Sequence, residues 1–448
     1  MLRKLFALLL LICLTCFSTA AQDDDTNTLP NLTLTGIESV GEFIDGLPHN
    51  ATLSPDGNLL VYEGGDAPGL CVYNFTNTRT TCTPYPEEDE LGERIRLLRP
   101  TELKWSPDSR FVALTENSLV RAEDSDIWIY DVDARTFTDR TQDGYSGSIL
   151  LGDDFNGIPI DVIPIWSPDG SLYFFRYIRS EDVITTQLFT IPASGGSFAG
   201  VVGEGERTLS DEDPSEVADY TESTVTPYAF YNGSSGFSLS GAAEVSPDGT
   251  QMALLMRPLD PETFEIWIVS LLDGSIVRRI SASGINALGL PEWGETRGFV
   301  PEGITWMSED ELVVNFINYQ YVTGISWTAY HIDLITDKFT PIFDFASIPS
   351  QDEYFAGTQT DSGLVTYPMP RYAAVTPEGD YFLYVTSPNS INGAALEALP
   401  ILGGERIILH QFGEDFNLLP SLFTSIGTDG ETVRALIFSY IFTFEITE

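Results

Sequence analysis

The chain has 448 residues, 43% of them hydrophobic and 12% aromatic, enough apolar material to bury a large core. Asp and Glu total 66 against 22 Lys and Arg, a formal net charge of −44. A surface this acidic repels nucleic acid phosphates and anionic lipid headgroups, so neither is an expected partner.

Residues 1–21 read as a secretory signal. Arg3 and Lys4 form a basic start, Leu5 to Phe17 an apolar run, and Thr19-Ala20-Ala21 a small-residue cleavage site. The run is short for a bilayer span and no later segment reaches the required length, so no transmembrane segment is expected after the signal. Cys16 is a poor lipid-anchor site beside Thr15 and Cys13. The expectation is an exported protein, secreted or periplasmic, with residues 22–448 forming a single domain. In that compartment the acidity reads as a solvated surface that keeps the protein soluble, with cation binding or a basic partner as the sharper alternative.

Cys13 and Cys16 leave with the signal, so the mature chain keeps Cys71 and Cys82, an even pair in an oxidising environment. They flank the turn Phe75-Thr76-Asn77-Thr78. If Tyr73 pairs with Thr80 across it, Cys71 faces Cys82 at a separation a disulfide can span. Two buried free thiols are the alternative.

Between Leu32 and Phe43 the chain alternates like a strand, and from Pro48 a unit begins that recurs six times. Each unit opens with a short strand ending at Leu53, Trp105, Trp166, Val245, Met307 or Val375. A turn follows: Ser54-Pro55-Asp56-Gly57, Ser106-Pro107-Asp108-Ser109, Ser167-Pro168-Asp169-Gly170 and Ser246-Pro247-Asp248-Gly249, with weaker copies at Ser308 and Thr376. Ser bonds back to the backbone, Pro presets φ, Asp tolerates the third position, and Gly takes a left-handed fourth, as a hairpin turn requires. Decay of the motif at Ser308 and Thr376 implies that turn geometry, rather than side-chain chemistry, is what the copies share. An apolar strand, a variable loop, a third strand such as Ile127 to Tyr130, and a more polar fourth strand complete each unit. Four antiparallel strands repeated in series make the blades of a β-propeller.

The form apolar-Trp-Ser-Pro-Asp-Gly followed by Asp-Ile-Trp resembles the TolB-type propeller repeats, best at Trp105 to Leu114 with Asp126 to Asp131, then at Trp166 to Phe175. Similar repeats build the propeller of prolyl oligopeptidase and dipeptidyl peptidase relatives. The resemblance covers nearly all of the mature chain and implies protein–protein interaction at the cell envelope, by fold-level analogy. Because the repeats begin almost directly after the signal, no counterpart of TolB's extra N-terminal domain is expected. At the C-terminus three strands, Leu422 to Ser425, Ala435 to Phe438 and Phe442 to Ile446, lack a fourth, which the strand between Leu32 and Phe43 can supply. The expected fold is therefore an all-β propeller of seven four-stranded blades, six being the alternative, with an N-terminal strand completing the last.

On such a ring the Ser-Pro-Asp turns occupy one face, and the long insertions Pro84 to Arg99, Asp143 to Asp161, Gly203 to Leu239, Ser283 to Val300 and Ala346 to Tyr367 occupy the other. Loops over a rigid scaffold carry function. Their carboxylates and aromatics suit peptides or glycans, and Tyr145, Asp153, Asp154, Trp293 and Tyr354 are the candidate binding residues. Glu102, Asp161, Glu302 and Arg371 fall near the starts of channel strands, where a hydrolase or lyase would place its carboxylates.

No catalytic motif emerges. Gly144-Tyr145-Ser146-Gly147-Ser148 lacks the final Gly of a nucleophile elbow, and His49, His331 and His410 sit in separate units and form neither a triad nor a zinc site. Asp153 to Gly157 lacks the spacing and closing Glu of a calcium loop; Ca2+ is the one cofactor it suggests, with a solvated turn the better reading. The expectation is a non-enzymatic exported binding or scaffold module for a protein, peptide or glycan; the alternatives are the channel enzyme and a salt-adapted protein whose acidity serves solubility alone.

Overall fold

A computed structural model describes residues 28–29, 31–42, 51–64, 68–86, 103–115, 125–142, 159–180, 183–192, 199–200, 205–209, 217–220, 243–256, 265–272, 274–281, 299–320, 324–342, 358–360, 363–365, 381–385, 395–405, 407–413, 424–437 and 440–447. Every extended element in it is a β-strand, and the successive antiparallel sheets are those of a β-propeller.

Six sheets each use one continuous stretch of chain. The first comprises Ala51–Leu53, Leu59–Glu63, Gly69–Asn74 and Arg79–Pro84. The second comprises Leu103–Trp105, Phe111–Thr115, Ile127–Asp131 and Thr136–Asp139. The third is built on Pro159–Trp166, Leu172–Ser180 and Val183–Ile191. Ala243–Val245, Gln251–Met256, Glu265–Ser270 and Ile276–Ser281 make the fourth, and Phe299–Ser308, Glu311–Gln320, Gly324–Asp333 and Lys338–Pro341 the fifth. Tyr381–Val385, Ala395–Pro400 and Ile407–Gln411 belong to the sixth.

The terminal sheet joins the two ends of the chain. Leu32–Ser39 pairs antiparallel with Tyr440–Ile446, from Leu32 opposite Ile446 to Ser39 opposite Tyr440. Thr432–Ile437 and Thr424–Thr428 follow on the inner side. The N-terminal strand thus closes the ring as the sequence implies, and it covers an edge that would otherwise present unpaired backbone groups.

The core lies between sheets, which explains why the second and third strands are apolar on both faces. Leu60, Tyr62 and Cys71 of the first sheet pack on Leu436 and Ile441 of the terminal sheet. Val61 and Val72 turn the other way, onto Trp105, Leu114 and Trp128 of the second. The same alternation joins the second sheet to the third through Ala113 and Phe174, the third to the fourth through Phe175 and Trp267, and the fourth to the fifth through Ile266 and Val314. Leu383 and Leu396 of the sixth sheet meet Val433 and Phe444 of the terminal one.

Two expected loops are strands. In the third sheet, Leu172–Ser180 and Val183–Ile191 form one long hairpin, and Gly205–Leu209 and Val217–Tyr220, inside the expected Gly203 to Leu239 insertion, extend its outer part. Within the Ala346 to Tyr367 insertion, Thr358–Thr360 pairs with Gly363–Val365. A register shift in the fifth sheet makes Met307 a bulge between Trp306 and Ser308, so Trp306, and not Met307, holds the position of Trp105 and Trp166. The cysteine hairpin has the expected register, with Tyr73 opposite Thr80 and Cys71 opposite Cys82, and the disulfide is formed at a Cα–Cα distance of 3.9 Å. Among the described residues no helix is long and apolar enough to cross a membrane.

Candidate functional site

The Ser-Pro-Asp turns build one face, and their side chains do more than shape a turn. Ser106 Oγ donates to Asp108 Oδ1 at 2.5 Å and accepts the Phe111 amide at 2.8 Å, while Asp108 Oδ1 also accepts the Arg110 amide at 3.2 Å. Ser54 with Asp56, and Ser246 with Asp248, repeat the arrangement. The four serines are 0–2% exposed, and the hydroxyls of Ser54, Ser106 and Ser246 satisfy amides that water cannot reach. The fourth position is left-handed, with φ of 69° at Gly57, 59° at Ser109, 83° at Gly170 and 75° at Gly249. The expectation that geometry alone is shared is thus corrected: the Ser–Asp bond is part of the repeat. It also holds the Asp248 carboxyl below the usual range, chiefly through Ser246; at Asp56, burial acts to raise the carboxyl, and bonds from Ser54, Asn58 and Ser109 outweigh it.

Neighbouring turns abut. Asp56 N donates to Ser109 Oγ at 3.1 Å, and Thr428 N of the terminal sheet donates to Pro55 O at 2.7 Å. Nearer the axis, each tryptophan reaches back to the preceding sheet. Trp105 Nε1 donates to Thr52 O at 3.1 Å, Trp166 Nε1 to Lys104 O at 2.9 Å, and Trp306 Nε1 to Glu244 O at 3.0 Å. Thr52, Lys104 and Glu244 occupy the middle of the innermost strands, the positions nearest the channel.

Glu244 is the ionisable group of that layer that sequence reasoning missed. Its Oε2 accepts the Trp306 amide at 2.9 Å. Enclosure raises its titration to about 7, and the Trp306 bond and the charge of Lys104 only partly oppose the rise. Only the strand geometry singles it out, because 66 acidic residues hide one enclosed carboxylate.

Asp161, expected near a channel strand, lies within Pro159–Trp166 and is 1% exposed. Arg176 of the adjacent strand grips it through Nε at 2.7 Å and Nη2 at 2.5 Å. Nearby, Thr141 Oγ1 donates to buried Asp126 at 3.0 Å and accepts the Ile127 amide at 2.9 Å. The Asp of Asp-Ile-Trp therefore anchors the end of a blade, and the Asp161–Arg176 pair is a closed, buried unit that ties the inner strand to its neighbour.

His331 is 6% exposed with Nε2 3.4 Å from Glu311 Oε1, and His410 stacks edge-on against Phe412 at 5.0 Å, so both are packing residues as expected. Glu302 falls at a bulge between Pro301 and Gly303 in the fifth sheet's inner strand. Glu102, Tyr145, Asp153, Asp154, Trp293, Tyr354, Arg371 and His49 lie outside the described residues, as does the calcium-like loop. Among the described residues no group of three or more His, Cys, Asp or Glu is placed to hold a metal.

The turns between third and fourth strands lie on the Ser-Pro-Asp face, tied to it by the bonds Val132 N to Arg110 O and Leu334 N to Asp310 O. They share a plan. A left-handed residue falls at Thr78, Arg135, Asp337 and Gly274, and an inward apolar anchor at Phe75, Val132, Leu334 and Leu271. The residue after the anchor points out: Thr76 and Asp133 in the first two sheets, but Leu272, Ile335 and Leu402 in the fourth to sixth, at 93%, 72% and 73% exposure.

No protein-family model matches the chain, and no curated protein is similar to it in sequence. Among solved structures it is similar to the Kuenenia stuttgartiensis hydrazine synthase at 12% identity, over 95% of this chain and 98% of that one, with a TM-score of 0.43. It is also similar to a putative TolB from Agrobacterium tumefaciens at 16% identity, over 69% and 87%, with a TM-score of 0.34. A third is an oligogalacturonate lyase from Vibrio parahaemolyticus at 10% identity, over 94% and 99%, with a TM-score of 0.42. These likenesses concern the β-propeller fold alone.

Proposed function

We propose that this protein is an exported, non-enzymatic propeller of seven blades, six from consecutive stretches and one from both chain ends, that binds a protein or peptide. The observation that carries this reading is the row Leu272, Ile335 and Leu402. One turn position holds an exposed apolar side chain in three successive sheets, where the first two sheets hold Thr76 and Asp133. An acidic surface selected for solubility alone has no use for that row, whereas contact with a partner does. The Cys71–Cys82 disulfide supports an extracytoplasmic location. The opposite, insertion-rich face, with Tyr145, Asp153, Asp154, Trp293 and Tyr354, is a second proposed surface and the one suited to a glycan.

Peptide and glycan arrays at low and high ionic strength test the reading, with the wild type beside L272S/I335S/L402S. Peptide ligands that survive high salt and are lost in the triple variant support it. No ligand at either salt, or ligands indifferent to the three substitutions, would sink the apolar row as the binding surface.

The enzyme alternative keeps one specific support. Glu244 titrates near neutrality beside the channel, the range a general acid or base needs. Any hydrolase or lyase activity found in a substrate screen should then vanish in E244Q, and an activity that persists there excludes this carboxylate.

A further inference from the structure

The inner turns touch at the terminal–first and first–second interfaces, and between the third and fourth sheets Gly249 lies against Ser167. Between the second and third sheets they part. A cleft of about 250 Å³ opens there, with the Ser106-Pro107-Asp108 turn on one lip and Pro168-Asp169-Gly170 on the other. Half-buried Phe111, Ile129 and Trp166 form its walls. That volume is below the usual size of a drug-like site and suits one amino-acid side chain.

We propose that this cleft binds a single basic side chain of a peptide, lysine or arginine, between the two turn aspartates and against Trp166. Three observations converge on a cation. Asp108 and Asp169, both exposed, line the same cleft from turns of separate sheets, each held by bonds within its own turn. Backbone and side-chain bonds from Ser171 keep the Asp169 carboxyl ionised well into the acid range. Trp166 adds an indole to the lining, the best aromatic partner for a cation, and its Nε1 is already bonded to Lys104 O, which fixes the ring. Arg140 is the one cation of the lining, so the ionised groups there leave a net negative charge. A net charge of −44 draws cations to the whole surface, and this cleft adds walls to that attraction. The site is independent of the apolar row and stands or falls separately.

The test is an NMR titration of the full-length mature protein labelled with 15N, following the indole Nε1–H signals, with Trp166 assigned from W166F. The probes are N-acetyl-arginine amide, N-acetyl-leucine amide and N-acetyl-glutamate amide. Arginine amide should move the Trp166 signal while leaving Trp267 and Trp306 in place, and the other two probes should bind at least about tenfold more weakly. D108N/D169N keeps the Oδ1 acceptors that the turns use and removes both charges, so its affinity should fall about tenfold at unchanged melting temperature. Should that variant fail to fold, D108N alone, on an exposed carboxylate, should fall about threefold. A Trp166 signal that ignores arginine amide overturns the proposal, as does equal binding of leucine amide. Undiminished binding by the folded Asn variant, or shifts spread over all indoles and erased together by about 0.5 M salt, would mean diffuse attraction only.

Discussion

Glu244→Gln should make the protein more stable above neutral pH, the opposite of what removing a buried charged group's partner does. Glu244 titrates near 7 in the fold and near 4.5 in a solvated chain. The folded state therefore binds this proton more tightly than the unfolded state. Stability from the neutral carboxyl is fully present below pH 4.5 and is lost as pH rises through 7. Each tenfold in proton affinity is about 1.4 kcal/mol, so keeping Glu244 ionised costs up to about 3 kcal/mol. Partial contact with solvent along the channel lowers that to about 1–3 kcal/mol. Glutamine keeps one side-chain oxygen to take the place of Glu244 Oε2 as acceptor of the Trp306 amide, so the bond survives while the charge goes. For a chain of this length, 1 kcal/mol moves Tm by roughly 1 °C. Melting curves of both proteins should therefore coincide near pH 4.5 and separate by about 1–3 °C, with the variant higher, near pH 8. Taking the difference cancels the many other carboxylates. A difference that is flat with pH, or a variant that melts lower at pH 8, would refute the enclosure of Glu244.

Three further outcomes follow from the buried bonds. Arg176→Met leaves Asp161, 1% exposed, without its guanidinium and should cost about 3–5 kcal/mol in denaturant unfolding, whereas D161L/R176M should recover most of the loss. Ser106→Ala strands the Phe111 amide and should cost about 1–3 kcal/mol, against less than about 0.5 kcal/mol for Ser308→Ala, read as a shift in denaturation midpoint. C71S/C82S opens a loop closed at a sequence separation of 11 and should cost about 3 kcal/mol, matched by treating the wild type with reductant.

The sequence makes the local hairpins legible and hides what the ring brings together. The cysteine register was readable because a turn of known length fixes every pair across it, and Tyr73 does face Thr80. Closure by the N-terminal strand was readable because three C-terminal strands needed a fourth. The long hairpin of the third sheet was not: residues 176–187 mix Arg, Ser, Glu, Asp and Thr with only the short apolar pairs Tyr177-Ile178 and Val183-Ile184, which reads as a loop when the neighbouring repeats have loops there. Glu244 and the Asp161–Arg176 pair were hidden for a different reason. Their character comes from sheets or strands brought together in space, and among so many carboxylates no spacing rule picks them out. The proposed insertion-face residues were chosen by composition, and Asp161, the channel-strand acid whose side chain the structure describes, serves the scaffold.

The weak fifth copy of the turn explains what the Ser54, Ser106 and Ser246 copies share. At Ser308 the hairpin tightens, with Ser308 directly opposite Glu311 and only two residues between them. Ser308 Oγ then meets Glu311 Oε2 at 3.4 Å and the Asp310 amide at 3.3 Å, so the short bond to an aspartate two residues on is gone. In the longer turn, one more residue in the left-handed region leaves an inner amide at the start of the next strand without a strand partner, and the buried serine hydroxyl meets it. The aspartate then fixes the hydroxyl and accepts a second amide. Ser and Asp are bonded to each other there because the turn exposes two donors to a dry environment; in the shortened fifth turn Ser308 and Asp310 are still two residues apart, but that bond is not made. A carboxylate held this way can neither swing nor fold back onto a passing cation. Asp108 and Asp169 therefore hold fixed positions in the lining of the cleft between the second and third sheets, and a preorganised pair of carboxylates recognises a cation with less ordering cost than flexible surface acids do.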